Sequence, residues 1–237
     1  DCNEVKELIS KIDYLENISL KGIYSHLAIA DADQRENTHI NFTNVQLNRF
    51  EKVLNDLGEN NKSICRHLAN SAGTLADSSL HFDMVRVGLS LYGYVPVNDF
   101  ESDLKLIPAL NVKARVTLIR DVEKGIGVGY GHLFKTQRKS KLAVVAIGYA
   151  DGVSRALSGK ISGSIDGVLV PQVGAIAMDQ MVFDITDKPD IKIGQVLTLL
   201  GKDGEVFISP QKWCDLSGSI PWEVLCSFRN RLPRVVT

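Results

Sequence analysis

A change in hydrophobic period near Pro108 is the feature that most constrains the fold of this chain. Before it, apolar residues recur every three or four positions in separate segments, with short apolar runs between them, which predicts alternating helices and strands. After it, apolar and polar residues alternate, as they do from Val112 to Leu118, which predicts β-strands. We therefore predict an α/β domain over residues 1–105 and a mainly-β domain over residues 106–237.

The first domain is predicted to consist of parallel βα units. Its predicted helices lie around residues 5–12, 50–57 and 71–77, and its predicted strands over 20–26, 63–67 and 83–93. A complete (β/α)₈ barrel needs about 250 residues, so this domain is predicted to be part of one. Parallel βα units collect functional groups at the carboxyl ends of their strands. Polar or small residues at these ends are His26, Asn70, Ser71, Arg86 and Gly88.

The second domain is predicted to be built from strands with little helix between them. The predicted strands cover residues 112–118, 142–147, 168–173, 181–185 and 195–200, separated by turn glycines. The sequence therefore predicts a partial (β/α)₈ barrel followed by a C-terminal mainly-β domain.

Composition excludes several classes of protein. The 237 residues carry a formal net charge of −1 without a basic tract, which argues against a nucleic-acid partner. The longest apolar run, near 142–149, is far short of the roughly 20 residues of a spanning helix, so we expect no membrane contact by this segment. The four cysteines are scattered without a CxxC pair, which indicates a cytoplasmic setting and no metal site.

One segment, Asp83 to Gly93, carries an arginine two residues before a glycine. Alternation of apolar residues predicts a strand that gives way to a turn, and a glycine there lets backbone N–H groups close on an anion. An alternating strand with one salt-bridged arginine is the other interpretation of Arg86, and this segment alone does not decide between them.

Six motifs in order resemble the signatures of alanine racemases. They are Ile23-Tyr24-Ser25-His26-Leu27-Ala28, His67-Leu68-Ala69-Asn70-Ser71-Ala72, Arg86-Val87-Gly88-Leu89-Ser90-Leu91-Tyr92-Gly93, Gly129-Tyr130-Gly131, Ile147-Gly148-Tyr149-Ala150-Asp151-Gly152 and Ala177-Met178-Asp179-Gln180. The resemblance implies a pyridoxal 5′-phosphate enzyme that acts on a small amino-acid substrate. It also implies a homodimer in which both subunits build each active site.

The resemblance implies a cofactor site in the first domain. Ser71, Gly88 and Leu89 would hold the phosphate, with Asn70 beside them, although Asn70 and Ser71 also suit a helix N-cap. Arg86 would face the pyridine nitrogen. Because its guanidinium stays protonated, it donates a hydrogen bond without giving the ring a proton, which favours racemisation over transamination. His26 would hold Arg86 in place, and a histidine satisfied by local backbone is the alternative.

Residues of the second domain would serve the partner subunit's site. Tyr130 resembles the second catalytic base, although flanking glycines are also typical of a turn with an aromatic plug. Met178 would meet the substrate carboxylate through its backbone N–H. Tyr149 and Arg155 match the access path, where an arginine is equally compatible with a solvated surface charge.

Two departures from the family pattern bear on activity. The family's Schiff-base lysine has no counterpart in this sequence, and its motif would stand before Asp1, so these 237 residues alone are not expected to catalyse a reaction. Asn230 stands where the family usually has a tyrosine that narrows the inner gate and touches the cofactor phosphate, so the resemblance implies a cofactor-binding and substrate-binding role for Asn230. A smaller residue with a donor and an acceptor would admit the hydroxyl of serine, as in the membrane-anchored serine/alanine racemases of vancomycin resistance.

The sequence therefore predicts a serine and alanine racemase domain that supplies D-amino acids for cell-wall precursors, from a parent protein with a membrane anchor. The alternatives are an ordinary alanine racemase, in which Asn230 is neutral, and a catalytically silent relative that binds pyridoxal phosphate. A barrel-type decarboxylase is disfavoured, because such enzymes pair the pyridine nitrogen with an acid and this chain has Arg86.

Overall fold

The computed structural model describes residues 2–31, 37–58, 64–96 and 104–236, and it separates into two compact units. The first unit covers Asp1–Ala109 and the second Leu110–Thr237. The division lies four residues after the predicted boundary at residue 105. Each unit has its own hydrophobic core.

The first unit alternates helix and strand. Its helices are α1 (Cys2–Asp13), α2 (Asn37–Asp56) and α3 (Ser71–Ala76), and its strands are β1 (Gly22–Tyr24) and β2 (Cys65–His67). β1 and β2 pair in parallel, with Tyr24 opposite His67. The aliphatic and aromatic residues that follow the strands pack against one face of α2 and against α3, around buried Phe50, Leu54, Leu68 and Leu80. The start of the predicted strand at Ser63 lies outside the described residues.

The predicted third strand over residues 83–93 is wrong. Backbone N–H groups of Asp83 and Arg86 donate to the carbonyls of Arg66 and Ala69, so the two hydrogen bonds are three residues apart and no regular ladder forms. The segment still follows β2 in the same direction. It then turns into a 3₁₀ helix over Leu89–Tyr92 that ends at Gly93, whose φ of 83° suits glycine.

A salt bridge fastens the start of this irregular segment. The Asp83 carboxylate accepts hydrogen bonds from the backbone N, Nε and Nη2 of Arg66, at 2.8, 2.7 and 2.7 Å. These bonds lower the pKa of Asp83 to about 2. The segment whose alternating pattern resembles a strand is thus an irregular segment, held next to β2 by side-chain hydrogen bonds.

The second unit is an antiparallel sheet with two helices. Its strands are β3 (Val112–Val122), β4 (Gly127–Val128), β5 (Phe134–Lys135), β6 (Ser140–Val145), β7 (Ser162–Ile165), β8 (Val168–Val173), β9 (Met181–Asp184), β10 (Val196–Asp203) and β11 (Val206–Ile208). The order in the main sheet is β11-β10-β3-β6-β9-β8-β7. β7 also pairs with β10, at Ser164 and Thr198, so the sheet closes on itself around buried residues such as Phe183 and Leu197. This unit confirms the predicted mainly-β class.

Two helices at the end of the chain were not predicted. They are α4 (Pro210–Ser217) and α5 (Pro221–Ser227). α4 carries ordinary boundary signals, because Ser209 caps its N-terminus, Pro210 is its first residue and Gly218 adopts the left-handed conformation after its end. Trp213 of α4 and Phe228 after α5 enter the core of the second unit. Within the described residues, no helix is long and apolar enough to cross a membrane.

Candidate active site

Arg86 is held at the ends of β1 and β2 by acceptors from both strands. Its Nη1 donates to the carbonyl of His67 at 3.2 Å and lies 2.9 Å from His67 Nδ1. Its Nη2 donates to the carbonyls of Ser25 and Leu68, at 2.9 and 3.2 Å. Because these acceptors lie at or directly after the ends of two paired strands, they fix a permanent positive charge at the carboxyl edge of the strands.

Aromatic and imidazole rings surround the same guanidinium. Tyr24 stacks on His67 with ring centroids 5.1 Å apart, and Arg86 Cζ lies 5.0 Å from the Tyr24 centroid, within cation–π range. Burial and then the charge of Arg86 lower the pKa of His67, which favours the neutral imidazole with Nδ1 as acceptor. Predicted His26 has its Nδ1 3.3 Å from Nη2, a longer contact than that of His67.

Three residues form what we call the anion cup: Ser71 at the start of α3, and Leu89 and Ser90 at the start of the 3₁₀ helix. Ser71 is 5% exposed, and its Oγ accepts hydrogen bonds from the N–H groups of Gly88 at 2.9 Å and Ser90 at 3.4 Å. Its hydroxyl proton is therefore left to donate outward. Among the described residues, the N–H of Leu89 and the buried Oγ of Ser90 have no partner. A site with these donors suits an oxyanion.

Asn70 and Gly88 both support the anion cup through hydrogen bonds within the chain. Asn70 caps α3, since its Oδ1 accepts from Gly73 N at 3.0 Å, and its Nδ2 donates to the Leu27 carbonyl at 3.4 Å. Gly88 already donates its N–H to Ser71, so it shapes the anion cup rather than leaving that donor free. A Cβ at Gly88 would lie 4.0 Å from Ser71 Oγ, which leaves space in front of the cup.

In the second unit, Tyr130 lies at the tip of the β4–β5 hairpin. Gly129 and Gly131 have φ values of 69° and 68°, which favour glycine on both sides of the tyrosine. The Tyr130 side chain is 74% exposed, so it is not the aromatic plug that flanking glycines also suggest. Buried Thr136 ties the base of the hairpin, donating its hydroxyl to the Glu123 carbonyl at 2.7 Å and accepting from Ile126 N at 2.9 Å.

Tyr149 and Met178 lie on two loops that are bonded to each other. The N–H groups of Tyr149 and Ala150 donate to the carbonyls of Ala177 and Met178, both at 2.9 Å. Across the described part of the chain, no acceptor takes the backbone N–H of Met178, so it remains available to a ligand. The hydroxyl-bearing Tyr149 is 43% exposed and borders a cavity of about 640 Å³.

The other two predicted residues are both exposed. Arg155 begins a 3₁₀ helix, Arg155–Leu157, and no side-chain partner holds it within the described residues. Asn230 lies in a turn after α5, next to Arg231, whose Nε donates to the Asp151 carboxylate at 2.9 Å. The roles of His67, Tyr24, Asp151 and Arg231 were not predicted. Three of them stand inside the recognised motifs, and that position was the only sequence signal for them.

An α/β unit with a fixed arginine beside an anion cup, followed by a closed antiparallel sheet, defines a two-domain protein of the α/β-plus-β class. Comparison with known proteins agrees with this class. Residues 1–96 match the alanine racemase N-terminal domain, and residues 109–236 match the alanine racemase C-terminal domain. The chain belongs to the alanine racemase family.

Individual relatives extend this result. The chain is 58% identical over 236 residues to the alanine racemase of Prochlorococcus marinus, covering all of this chain and 61% of that protein. It is 44% identical over 232 residues to that of Nostoc, covering 97% and 58%. The chain thus spans about three fifths of the length of these curated relatives.

Solved structures give the same fold. Alanine racemase from Bacillus anthracis with bound L-Ala-P superposes with a TM-score of 0.86 at 30% identity, covering 97% of this chain and 58% of that one. Alanine racemase from Bartonella henselae with covalently bound pyridoxal phosphate gives a TM-score of 0.82 at 33% identity, covering 99% and 62%.

Proposed function

We propose that the protein is a pyridoxal 5′-phosphate-dependent alanine racemase. The observation that carries the proposal is the Arg86 guanidinium, fixed by His67, Ser25 and Leu68 on the same edge as the anion cup. The residues present fit the cofactor, because the cup offers an unused hydroxyl proton and N–H to a phosphate and Arg86 offers a donor that cannot lose its proton. The curated relatives named alanine racemase support the same activity.

Each residue then has a role that its surroundings support. The bound cofactor supplies an electron-withdrawing ring that acidifies the α-hydrogen of the amino acid. Ser71 and Leu89 hold its phosphate, and Arg86 donates to the ring nitrogen while His67 and His26 orient the guanidinium. The exposed Tyr130 Oη takes or returns the α-proton on one face, in the active site of a partner subunit, because its hairpin projects it away from its own core.

The substrate end of the site lies on the loops of the second unit. The free N–H of Met178 binds the substrate carboxylate, while Tyr149, Arg155 and Asn230 line the access path. The proposal also includes that the protein forms a homodimer with shared active sites and is located in the cytoplasm.

Serine racemisation is a second candidate, and one observation favours it. Asn230 is exposed on a turn next to Arg231, so its amide is free to meet a substrate hydroxyl. The relation to the membrane-anchored enzymes of vancomycin resistance rests on the same residue, whereas the supply of D-amino acids for cell-wall precursors would follow from either activity. The names of the curated relatives favour the alanine activity.

Substitution of Tyr130 tests the racemase proposal. In the full-length gene product loaded with pyridoxal phosphate, we expect Tyr130→Phe to lower the rate of alanine racemisation by about 10²- to 10⁴-fold, because the phenol that moves the proton is gone. Chiral chromatography of the product measures the rate from either enantiomer. Tyr14→Phe is the matched control, since Tyr14 is exposed in the first unit.

Two results would contradict the proposal. One is a Tyr130→Phe variant that keeps most of the parent's rate. The other is a parent that binds pyridoxal phosphate but racemises neither alanine nor serine, which would favour a catalytically silent relative.

Substitution of Asn230 separates the two substrates. If alanine is the substrate, the parent prefers alanine, and Asn230→Tyr changes the serine-to-alanine ratio of kcat/KM less than about threefold. If the parent prefers serine and the substitution lowers that ratio by roughly tenfold or more, the serine candidate replaces the alanine proposal. Asn55→Tyr, on the exposed face of α2, controls for the added aromatic ring.

A further inference from the structure

Asp151 is a buried carboxylate at the junction of the loops that carry the proposed substrate residues. It is 7% exposed, its Oδ2 accepts from the N–H of Gly148 at 2.9 Å, and its Oδ1 accepts from Arg231 Nε at 2.9 Å. Its partner arginine comes from 80 positions further along the chain. A charged group is retained in such a place only when donors compensate its desolvation, and both oxygens here have one.

The first of these bonds fixes the turn that supports Met178. Gly148 packs so closely on the neighbouring loop that an added Cβ would lie 2.3 Å from the Ala177 carbonyl oxygen. Tyr149 and Ala150 then donate their N–H groups to the carbonyls of Ala177 and Met178. The position of the Met178 peptide therefore depends on a turn whose first N–H is held by Asp151.

The second bond fixes the segment that carries Asn230. Ser227 Oγ donates to the Gly152 carbonyl at 2.7 Å, and Arg231 binds Asp151. Asn230 lies between these two attachments, so its backbone is held against the same turn at both ends. Gly152, with a φ of 118°, allows this contact, since a Cβ there would lie 2.7 Å from the Ser227 carbonyl oxygen.

We propose that Asp151 is a positioning residue for substrate recognition, which sets the Met178 N–H and the Asn230 turn in one arrangement. The proposal rests on the proposed function, in which Met178 binds the substrate carboxylate. It assigns Asp151 and Arg231 a joint role. One oxygen of the Asp151 carboxylate holds the turn at Gly148, and the other binds Arg231 and so holds the segment that carries Asn230. Asp151 itself does not contact the substrate.

The structural half of the proposal is tested by hydrogen exchange in the full-length gene product. We expect Asp151→Asn to speed amide exchange in peptides covering Gly148–Ala150 and Ala177–Gln180 by about tenfold or more, because the turn loses its charged acceptor. Asp187→Asn is the matched control: Asp187 pairs with Arg138 in an exposed salt bridge of the same unit. Unchanged exchange in the Asp151 variant would overturn the proposal whatever the enzyme's activity.

The recognition half is tested by kinetics with propionate as a probe of carboxylate binding. We expect Asp151→Asn to raise the KM for alanine and the inhibition constant of propionate about tenfold, with kcat changed less than threefold and the absorbance of bound pyridoxal phosphate unchanged. Arg231→Gln, whose side chain is 57% exposed and easily solvated, should give the same effect, and the double variant should add little to either.

The outcomes separate the two proposals. A parent without racemase activity contradicts the proposed function, while hydrogen exchange still reports on Asp151. An active parent in which Asp151→Asn and Arg231→Gln lower kcat alone, or act additively, contradicts the positioning role. If Asp151→Asn does not fold, the Arg231→Gln variant decides the same question.

Discussion

At the scale of single residues, His67 connects the site to the stability of the first unit. Its ring stacks on Tyr24, and its Nδ1 lies 2.9 Å from a guanidinium nitrogen of Arg86. The imidazole supports Arg86 only as a neutral acceptor, because a second positive charge there would repel the first. The residue therefore ties the geometry of Arg86 to pH.

The lowered pKa of His67 predicts a loss of stability in acid. The unfolded chain binds a proton at His67 below a pH of about 6.5, whereas the folded chain takes it up only at lower pH. The free energy of unfolding should therefore fall as the pH decreases from about 6.5 towards the folded pKa, and His67→Gln should remove this part of the fall. Urea unfolding at several pH values measures it.

The control for this prediction is a substitution at another histidine, His132. His132→Asn replaces an exposed histidine whose φ of 46° asparagine tolerates, and it should keep the parent's slope with pH. An unchanged slope in His67→Gln would show that the imidazole is protonated equally in both states.

At the scale of elements, the β4–β5 hairpin shows how a buried hydroxyl supports an exposed catalytic candidate. Thr136 is 2% exposed and satisfies the Glu123 carbonyl and the Ile126 N–H at the base of the hairpin. Val128 of β4 is buried with Leu142 and Val173, which anchors the same hairpin to the sheet. The tip with Tyr130 thus projects from a fixed base.

Removal of the Thr136 hydroxyl should loosen this base. We expect Thr136→Val to lower the free energy of unfolding by about 1–3 kcal/mol, because one carbonyl and one N–H lose their partner in a buried place. Thr136→Ser should keep both hydrogen bonds and lose less. The measurement is chemical denaturation, and Thr117→Val, at an exposed position of β3, should stay within about 0.5 kcal/mol of the parent.

A Thr136→Val variant as stable as the parent would mean that water replaces the hydroxyl at this point. A reduced racemisation rate together with the lower stability would connect the hairpin base to the position of Tyr130.

Elements also show why some predictions from the sequence failed. The alternation over 83–93 predicts a strand, yet no regular strand forms there. The Asp83 carboxylate bonds to Arg66, and the backbone hydrogen bonds fall three residues apart, because side-chain contacts override the local pattern. α4 was missed although Ser209, Pro210 and Gly218 mark its ends. β7 and β8 are joined by Asp166 and Gly167, a strong hairpin signal that would have placed β7.

At the scale of the whole molecule, the order of the two units was predictable and their internal closure was not. The hydrophobic period changes from helical to alternating near Pro108, and the units divide after Ala109. Period is a local property, so it can be measured without knowing the fold. The closure of the second sheet depends on the pairing of Ser164 with Thr198, which no local pattern indicates.

The sequence by itself determined the two-part architecture, the family and most candidate site residues, because these follow from local periodicity and from short motifs. Only the tertiary structure decided which groups hold the candidate site residues in place. These groups are His67 beside Arg86, the donors around Ser71, and the Asp151–Arg231 pair that supports the loops of Met178 and Asn230. The physical reason is that these contacts join positions far apart in the chain, where packing selects the partner and local preference does not.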